Sequence, residues 1–133
     1  FSKIARSEKS HTNAIKRLME LYGVEDSASG EAGVFNDDAL QALYDDFVEQ
    51  GSESFLEALK VSAMVEDLDI KDLMDALESV ENPDVKLVYE NLLKASRNHL
   101  RAFYRQVKSN EGSYTAEYIS QEELGNPQLA SLI

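Results

Sequence analysis

Apolar residues recur at alternating intervals of three and four along three long segments of the chain, and this spacing constrains the fold more than any other feature. A period near 3.6 residues places such residues on one face of a helix, whereas a strand would require strict alternation. The chain has only two prolines and six glycines, and they fall between the periodic segments. The sequence therefore predicts an all-α fold.

Capping residues divide the chain into four predicted helices, which cover about residues 1–22, 36–50, 53–79 and 83–112. Gly23 is typical of a helix C-terminus. Asn36, Ser52 and Asn82 are predicted N-caps, and Pro83 suits the first position of the last helix.

A length of 133 residues with 43% hydrophobic content suits a single core. We therefore expect one helical bundle over residues 1–112, followed by a C-terminal tail over residues 113–133 that packs on the bundle.

The three long helices each carry polar residues in the middle of an apolar stripe. The apolar residues of the three stripes are Phe1, Ile4, Ile15, Leu18 and Tyr22; Phe55, Leu59, Leu73 and Leu77; and Val85, Val88, Leu92, Phe103 and Val107. Continuing the first stripe through its gap places Glu8 and His11 on the core face. The second stripe places Glu66 and Asp69 there, and the third places His99. Antiparallel packing would bring these positions into one layer of the bundle interior.

Buried carboxylates restrict what this layer can be. An unpaired buried ion costs several kcal/mol, and the whole stability of a domain is only about 5–15 kcal/mol. The acids must therefore be protonated, hydrogen-bonded or bound to cations. Carboxylates and imidazoles from facing helices are the ligands of di-iron and di-manganese centres, and the three-residue spacing of Glu8 and His11 suits that use. The alternative is a non-catalytic helical interaction module, in which the polar layer only fixes helix register.

Composition excludes several classes of function. A formal net charge of −12 argues against nucleic acid as a partner. The absence of cysteine excludes disulfides and thiolate metal sites. It permits a reducing, intracellular compartment without demonstrating one, and of the possible compartments we favour the cytoplasm. No run of about 18 apolar residues occurs, so we expect no membrane span.

One acidic motif imitates a calcium-binding loop. Asp67, Asp69 and Glu78 occupy the first, third and twelfth positions of an EF-hand loop, but Lys71 and Asp72 stand where an oxygen ligand and a glycine belong. The helical pattern also runs through the motif without a break. We therefore reject a calcium site there.

Four segments resemble a known family. They are SEKSHTNAIKRLMELYG (7–23), ALKVSAMVEDLDIKDL (58–73), NPDVKLVYENLLKASRNHLRAF (82–103) and YTAEYISQEE (114–123). They are similar to the domain-of-unknown-function 2202 group, an uncharacterised family of ferritin-like proteins related to rubrerythrin. The resemblance implies a four-helix bundle with a short helix in its crossover connection. It also implies a centre of two iron ions, with manganese or zinc as alternatives, and ferroxidase- or peroxidase-like chemistry.

Carried onto this sequence, the resemblance makes Glu8, His11, Glu66 and His99 metal ligands. Ser96 stands where the usual motif of the last helix has a glutamate, and we expect Asp69 to supply that missing oxygen. The resemblance also implies an earlier helix with a further glutamate, which would lie before Phe1. Its absence from the chain would leave one wall of the bundle open, and we expect a homodimer to cover that face.

Overall fold

The computed structural model describes residues 1–125, and these residues form helices and connecting loops without any β-strand. The helices are α1 (Ser2–Tyr22), α2 (Asp38–Ser52), α3 (Phe55–Ser79), α4 (Pro83–Ser109) and α5 (Gln121–Gly125). The predicted all-α class is confirmed, and the number of helices is compatible with a bundle. Within the described range, no helix combines the length and the apolar character needed to cross a membrane.

Two of the predicted helix ends are confirmed by their capping geometry. Gly23 adopts a left-handed conformation with φ 65°, and its N–H donates to the carbonyl of Glu20. The side-chain oxygen of Asn82 accepts the N–H groups of Asp84 and Val85, at 2.9 and 3.2 Å. This cap, followed by Pro83, fixes the start of the longest helix.

Two predicted N-caps were wrong. Asp37, not Asn36, caps α2, because the Asn36 amide instead donates to a loop carbonyl nine residues earlier. Ser54, not Ser52, caps α3, and Ser52 still belongs to α2. Ser54 has the extended backbone that an N-cap requires, with φ −163° and ψ 165°.

The core lies mainly between α3 and α4, which form an antiparallel pair because only residues 80–82 connect them. Its buried apolar residues are Leu59, Ala63, Ile70, Leu93, Leu100, Phe103, Val107, Tyr114 and Ile119. Helix α1 contributes no fully buried residue, and α2 packs against α3. The antiparallel α3–α4 pair is therefore the platform on which the other elements rest.

Helix α1 lies antiparallel along α4. At one end, the rings of Phe1 and Phe103 are 5.6 Å apart between centroids. At the other end, the Tyr22 hydroxyl donates to the Asp84 carboxylate at 2.7 Å. In an antiparallel pair of helices, a step forward along one helix matches a step back along the other. The two contacts therefore set Glu8, seven residues after Phe1, beside the part of α4 near His99.

The chain after α4 returns to the core. Helix α4 ends at Ser109, three residues before the predicted end, and Glu111 adopts a left-handed conformation with φ 59° as the chain reverses. Tyr114 and Ile119 are then buried in the core. Of the tail predicted over residues 113–133, residues 126–133 lie outside the described part of the chain.

Candidate metal centre

Glu8, Glu66 and His99 converge in the interior, and each comes from a different helix. One ligand atom from each of the three residues lies within 4.8 Å of the others. Nδ1 of His99 is 2.9 Å from Oε1 of Glu8 and 3.1 Å from Oε1 of Glu66. Glu66 and His99 are only 5% and 8% exposed, so two members of the cluster are withdrawn from water.

The packing of the helices explains this meeting. Helices α3 and α4 run antiparallel from a short connection, which sets the middle of α3, at Glu66, beside the middle of α4, at His99. The antiparallel pairing of α1 with α4 then brings Glu8 to the same level. Each residue lies on the inward face of its helix, as the interrupted apolar stripes predicted.

The hydrogen-bond capacity of the cluster is not satisfied. Neutral imidazole carries one N–H, so Nδ1 of His99 can donate to one carboxylate at a time. The hydrogen bond of this nitrogen is with Oε1 of Glu66. Oε1 of Glu8 also lies close to the nitrogen, but at an angle that does not meet hydrogen-bond geometry. Among the described residues, Oε1 of Glu8 and Oε2 of Glu66 are buried and make no hydrogen bond of ordinary geometry, although Oε1 of Glu8 lies 2.9 Å from Nδ1 of His99.

Burial changes the protonation of the cluster. Loss of water, followed by the negative charges of Glu8 and Asp69, raises the pKa of Glu66 from its usual 4.5 to about 8, against a smaller opposing effect of the Ser96 hydroxyl. Burial also lowers the pKa of His99, which favours neutral imidazole, the form that binds metals. Without a cation, Glu66 is thus mostly protonated at neutral pH.

The other two predicted ligands lie beside this cluster. Nδ1 of His11 is 3.3 Å from Oε2 of Glu8, and the rings of His11 and His99 are 6.0 Å apart. Asp69 lines an open cavity of about 300 Å³ together with Glu8 and His11. Burial, followed by the charges of Glu8 and Asp72, raises the pKa of Asp69 to about 6. The structure thus groups three of the five predicted residues and places two at the adjoining cavity.

The donor set fits a divalent transition metal. Carboxylate oxygens suit iron and manganese, and imidazole suits iron and zinc. A cation between the carboxylates would occupy the two unpartnered oxygens and remove the repulsion that raises the pKa of Glu66. The side chains present are therefore suited to hold a metal ion.

Asp67 is a buried polar residue whose role the sequence analysis missed. Its side chain is fully buried and accepts four hydrogen bonds from the segment after α4. The helical spacing of Ala63, Asp67 and Ile70, all three buried, is the sequence signal that places Asp67 on an inward face. The calcium-like motif lies within the continuous helix α3, which agrees with the rejection of a calcium loop.

The fold and the cluster define an all-helical protein with a candidate metal centre. The chain belongs to the family described as "Uncharacterized protein domain (DUF2202)", whose model matches residues 1–128. It is 46% identical over 124 residues to uncharacterized protein MJ0754 of Methanocaldococcus jannaschii, and the match covers 92% of this chain and 67% of that protein. It also superposes on the crystal structure of hypothetical protein MJ0754 from Methanococcus jannaschii with a TM-score of 0.92 and 43% identity, covering 100% of this chain and 75% of the other. The predicted membership of the 2202 family is confirmed.

Proposed function

We propose that this protein is a ferritin-like metal-binding protein whose centre holds two iron ions, with Glu8, Glu66 and His99 as its innermost ligands. The observation that carries the proposal is the pair of buried carboxylate oxygens, one on Glu8 and one on Glu66, that have no hydrogen-bond partner among the described residues. Both belong to carboxylates that lie within about 3 Å of the same imidazole nitrogen.

Energetics support a cation at this position. An unsatisfied buried acceptor costs about 1–3 kcal/mol, and more when it is charged. Two such atoms on adjacent carboxylates are a substantial cost for a domain with a total stability of about 5–15 kcal/mol. A bound cation would remove this cost, and metal affinity therefore offers a physical reason for the arrangement.

Asp69 and His11 extend the ligand set toward a second ion. Both residues line the cavity that opens beside Glu8, and Oε2 of Glu8 already lies against His11. Asp69 would add a carboxylate oxygen where Ser96 of α4 offers only a hydroxyl. When bound, iron would supply redox chemistry toward oxygen or peroxide. The chain's own residues would hold and orient the ions.

Metal content tests the proposal. The full chain, purified without chelators or an affinity tag, should contain about two metal ions per chain, and ferrous loading followed by air should produce an oxo-bridged absorption band. Glu66→Gln should lose most of the metal. Glu78→Gln is the matched control, because it makes the same change at an exposed position of the same helix.

The alternative function is a non-catalytic interaction module, and one observation favours it. The side chains of His99 and Glu66 form a hydrogen bond of 3.1 Å with each other, so part of the polar layer is satisfied by the protein's own groups. Under this alternative, iron, manganese and zinc would leave the melting temperature of the wild type unchanged, and His99→Ala would alter only stability or partner choice. An absence of bound metal together with an unchanged melting temperature would refute metal binding.

A further inference from the structure

A segment after α4, here called the C-terminal strap (residues 114–124), is fixed to α3 by one buried carboxylate. Asp67 accepts hydrogen bonds from the Tyr114 hydroxyl at 2.7 Å and from three backbone N–H groups. These belong to Glu117, Tyr118 and Ile119, at 2.7, 3.2 and 2.8 Å. Asp67 has no exposed surface, so this anchor is a charge-assisted network shielded from water.

The same strap is fixed to α4 by an ion pair. Nη2 of Arg97 donates to Oε1 of Glu123 at 2.8 Å, and the two side chains are only 22% and 17% exposed. The guanidinium also lies 3.9 Å from the sulfur of Met74 on α3. The strap therefore spans the two helices that contribute Glu66 and His99 to the candidate metal centre.

Both anchors lie at the level of the candidate metal centre. Asp67 directly follows Glu66, and successive helical positions point about 100° apart, so one side chain reaches the strap while the other reaches His99. Arg97 precedes His99 by two positions on α4. Any shift of α3 against α4 at this level would change both the anchors and the distance between Glu66 and His99.

We propose that Asp67 and Arg97 are positioning residues for the metal ligands, and that they act through the C-terminal strap. The strap fixes the separation of α3 and α4 where Glu66 and His99 meet, and residues of the same two helices line the cavity beside Glu8. A metal centre requires its ligands to be held within about 0.5 Å of the binding geometry, and the supporting residues provide that precision. This inference rests on the proposed metal binding.

Cobalt(II) titration of the full chain, followed by visible absorption, tests the proposal. Asp67→Asn keeps the shape of the side chain but removes the charge that the four donors surround. We expect about tenfold weaker Co²⁺ binding and an altered ligand-field spectrum, as is typical for residues that orient metal ligands.

Leu59→Ala is the control for a general loss of stability. Leu59 is 1% exposed on the same helix, two turns before Glu66, and it takes no part in the hydrogen bonds of Asp67, in the Arg97–Glu123 ion pair or in the cluster of Glu8, Glu66 and His99. It should lower the melting temperature and leave both the Co²⁺ affinity and the spectrum unchanged. Equal weakening of Co²⁺ binding in Leu59→Ala and Asp67→Asn would overturn a specific positioning role.

A second variant keeps the test valid if Asp67→Asn does not fold. Glu123→Gln weakens the anchor on α4 without touching α3 or the cluster, and it should weaken Co²⁺ binding in the same direction. Wild-type affinity in Glu123→Gln and in a folded Asp67→Asn would refute the positioning role while leaving metal binding intact. Failure of the wild type to bind Co²⁺ would refute both proposals.

Discussion

Replacing Glu66 by glutamine should stabilise the metal-free protein while removing its capacity to bind metal. Burial, together with the charges of Glu8 and Asp69, raises the pKa of Glu66 from 4.5 to about 8, so between these pH values the folded chain keeps a proton that the unfolded chain has lost. Folding therefore takes up a proton, and this contribution to stability is complete below pH 4.5 and is lost as the pH rises through about 8.

The magnitude follows from the two pKa values. Each pKa unit corresponds to about 1.4 kcal/mol, so the difference of about 3.5 between 4.5 and about 8 gives about 5 kcal/mol in total, of which about 3 kcal/mol is lost by pH 7. Glutamine does not titrate, and its oxygen can still accept the hydrogen bond from His99. Relative to the wild type, Glu66→Gln should thus gain about 3 kcal/mol between pH 4.5 and pH 7.

Urea unfolding with EDTA at pH 5, 7 and 9 measures this difference. Glu78→Gln, at an exposed position of α3, should follow the wild type at every pH. If the stability difference between Glu66→Gln and the wild type were the same at all three pH values, Glu66 would not titrate as a buried acid, and the electrostatic basis of the metal centre would be refuted. Gain of stability with loss of metal is the trade-off typical of a functional site.

Four further outcomes are expected. Metal affinity of the wild type should rise with pH up to about 8, because the metal must displace the proton on Glu66. Titration calorimetry measures this, because the heat of metal binding depends on the ionisation enthalpy of the buffer when protons are released. His99→Ala should abolish metal binding, whereas His11→Ala should weaken it less, because only His99 belongs to the three-residue cluster; metal analysis compares them directly. Leu59→Ala should lower the free energy of unfolding by about 2–5 kcal/mol, since it leaves a cavity in the core. Asn82→Ala should cost about 1 kcal/mol through the lost N-cap of α4, again measured by urea unfolding, and an unchanged midpoint would contradict the capping role.

Local sequence signals predicted most of the secondary structure. The spacing of apolar residues identified the three long helices, and Gly23 and Asn82 marked ends that the structure confirms. The errors at Asn36 and Ser52 lie where two or more suitable capping residues follow one another within a few positions. Local chemistry does not distinguish between such neighbours, because the choice depends on which residue the loop holds in an extended conformation.

The sequence by itself determined that Glu8, Glu66 and His99 lie on the inward faces of three helices, because helical periodicity fixes the direction of each side chain relative to its apolar neighbours. Only the tertiary structure decided that these three side chains meet while Asp69 and His11 stay beside them, since this depends on how far each helix is shifted along its partner. The role of Asp67 also required the fold. Its four donors lie 47 to 52 residues away in the sequence, and no local pattern encodes a contact at that separation.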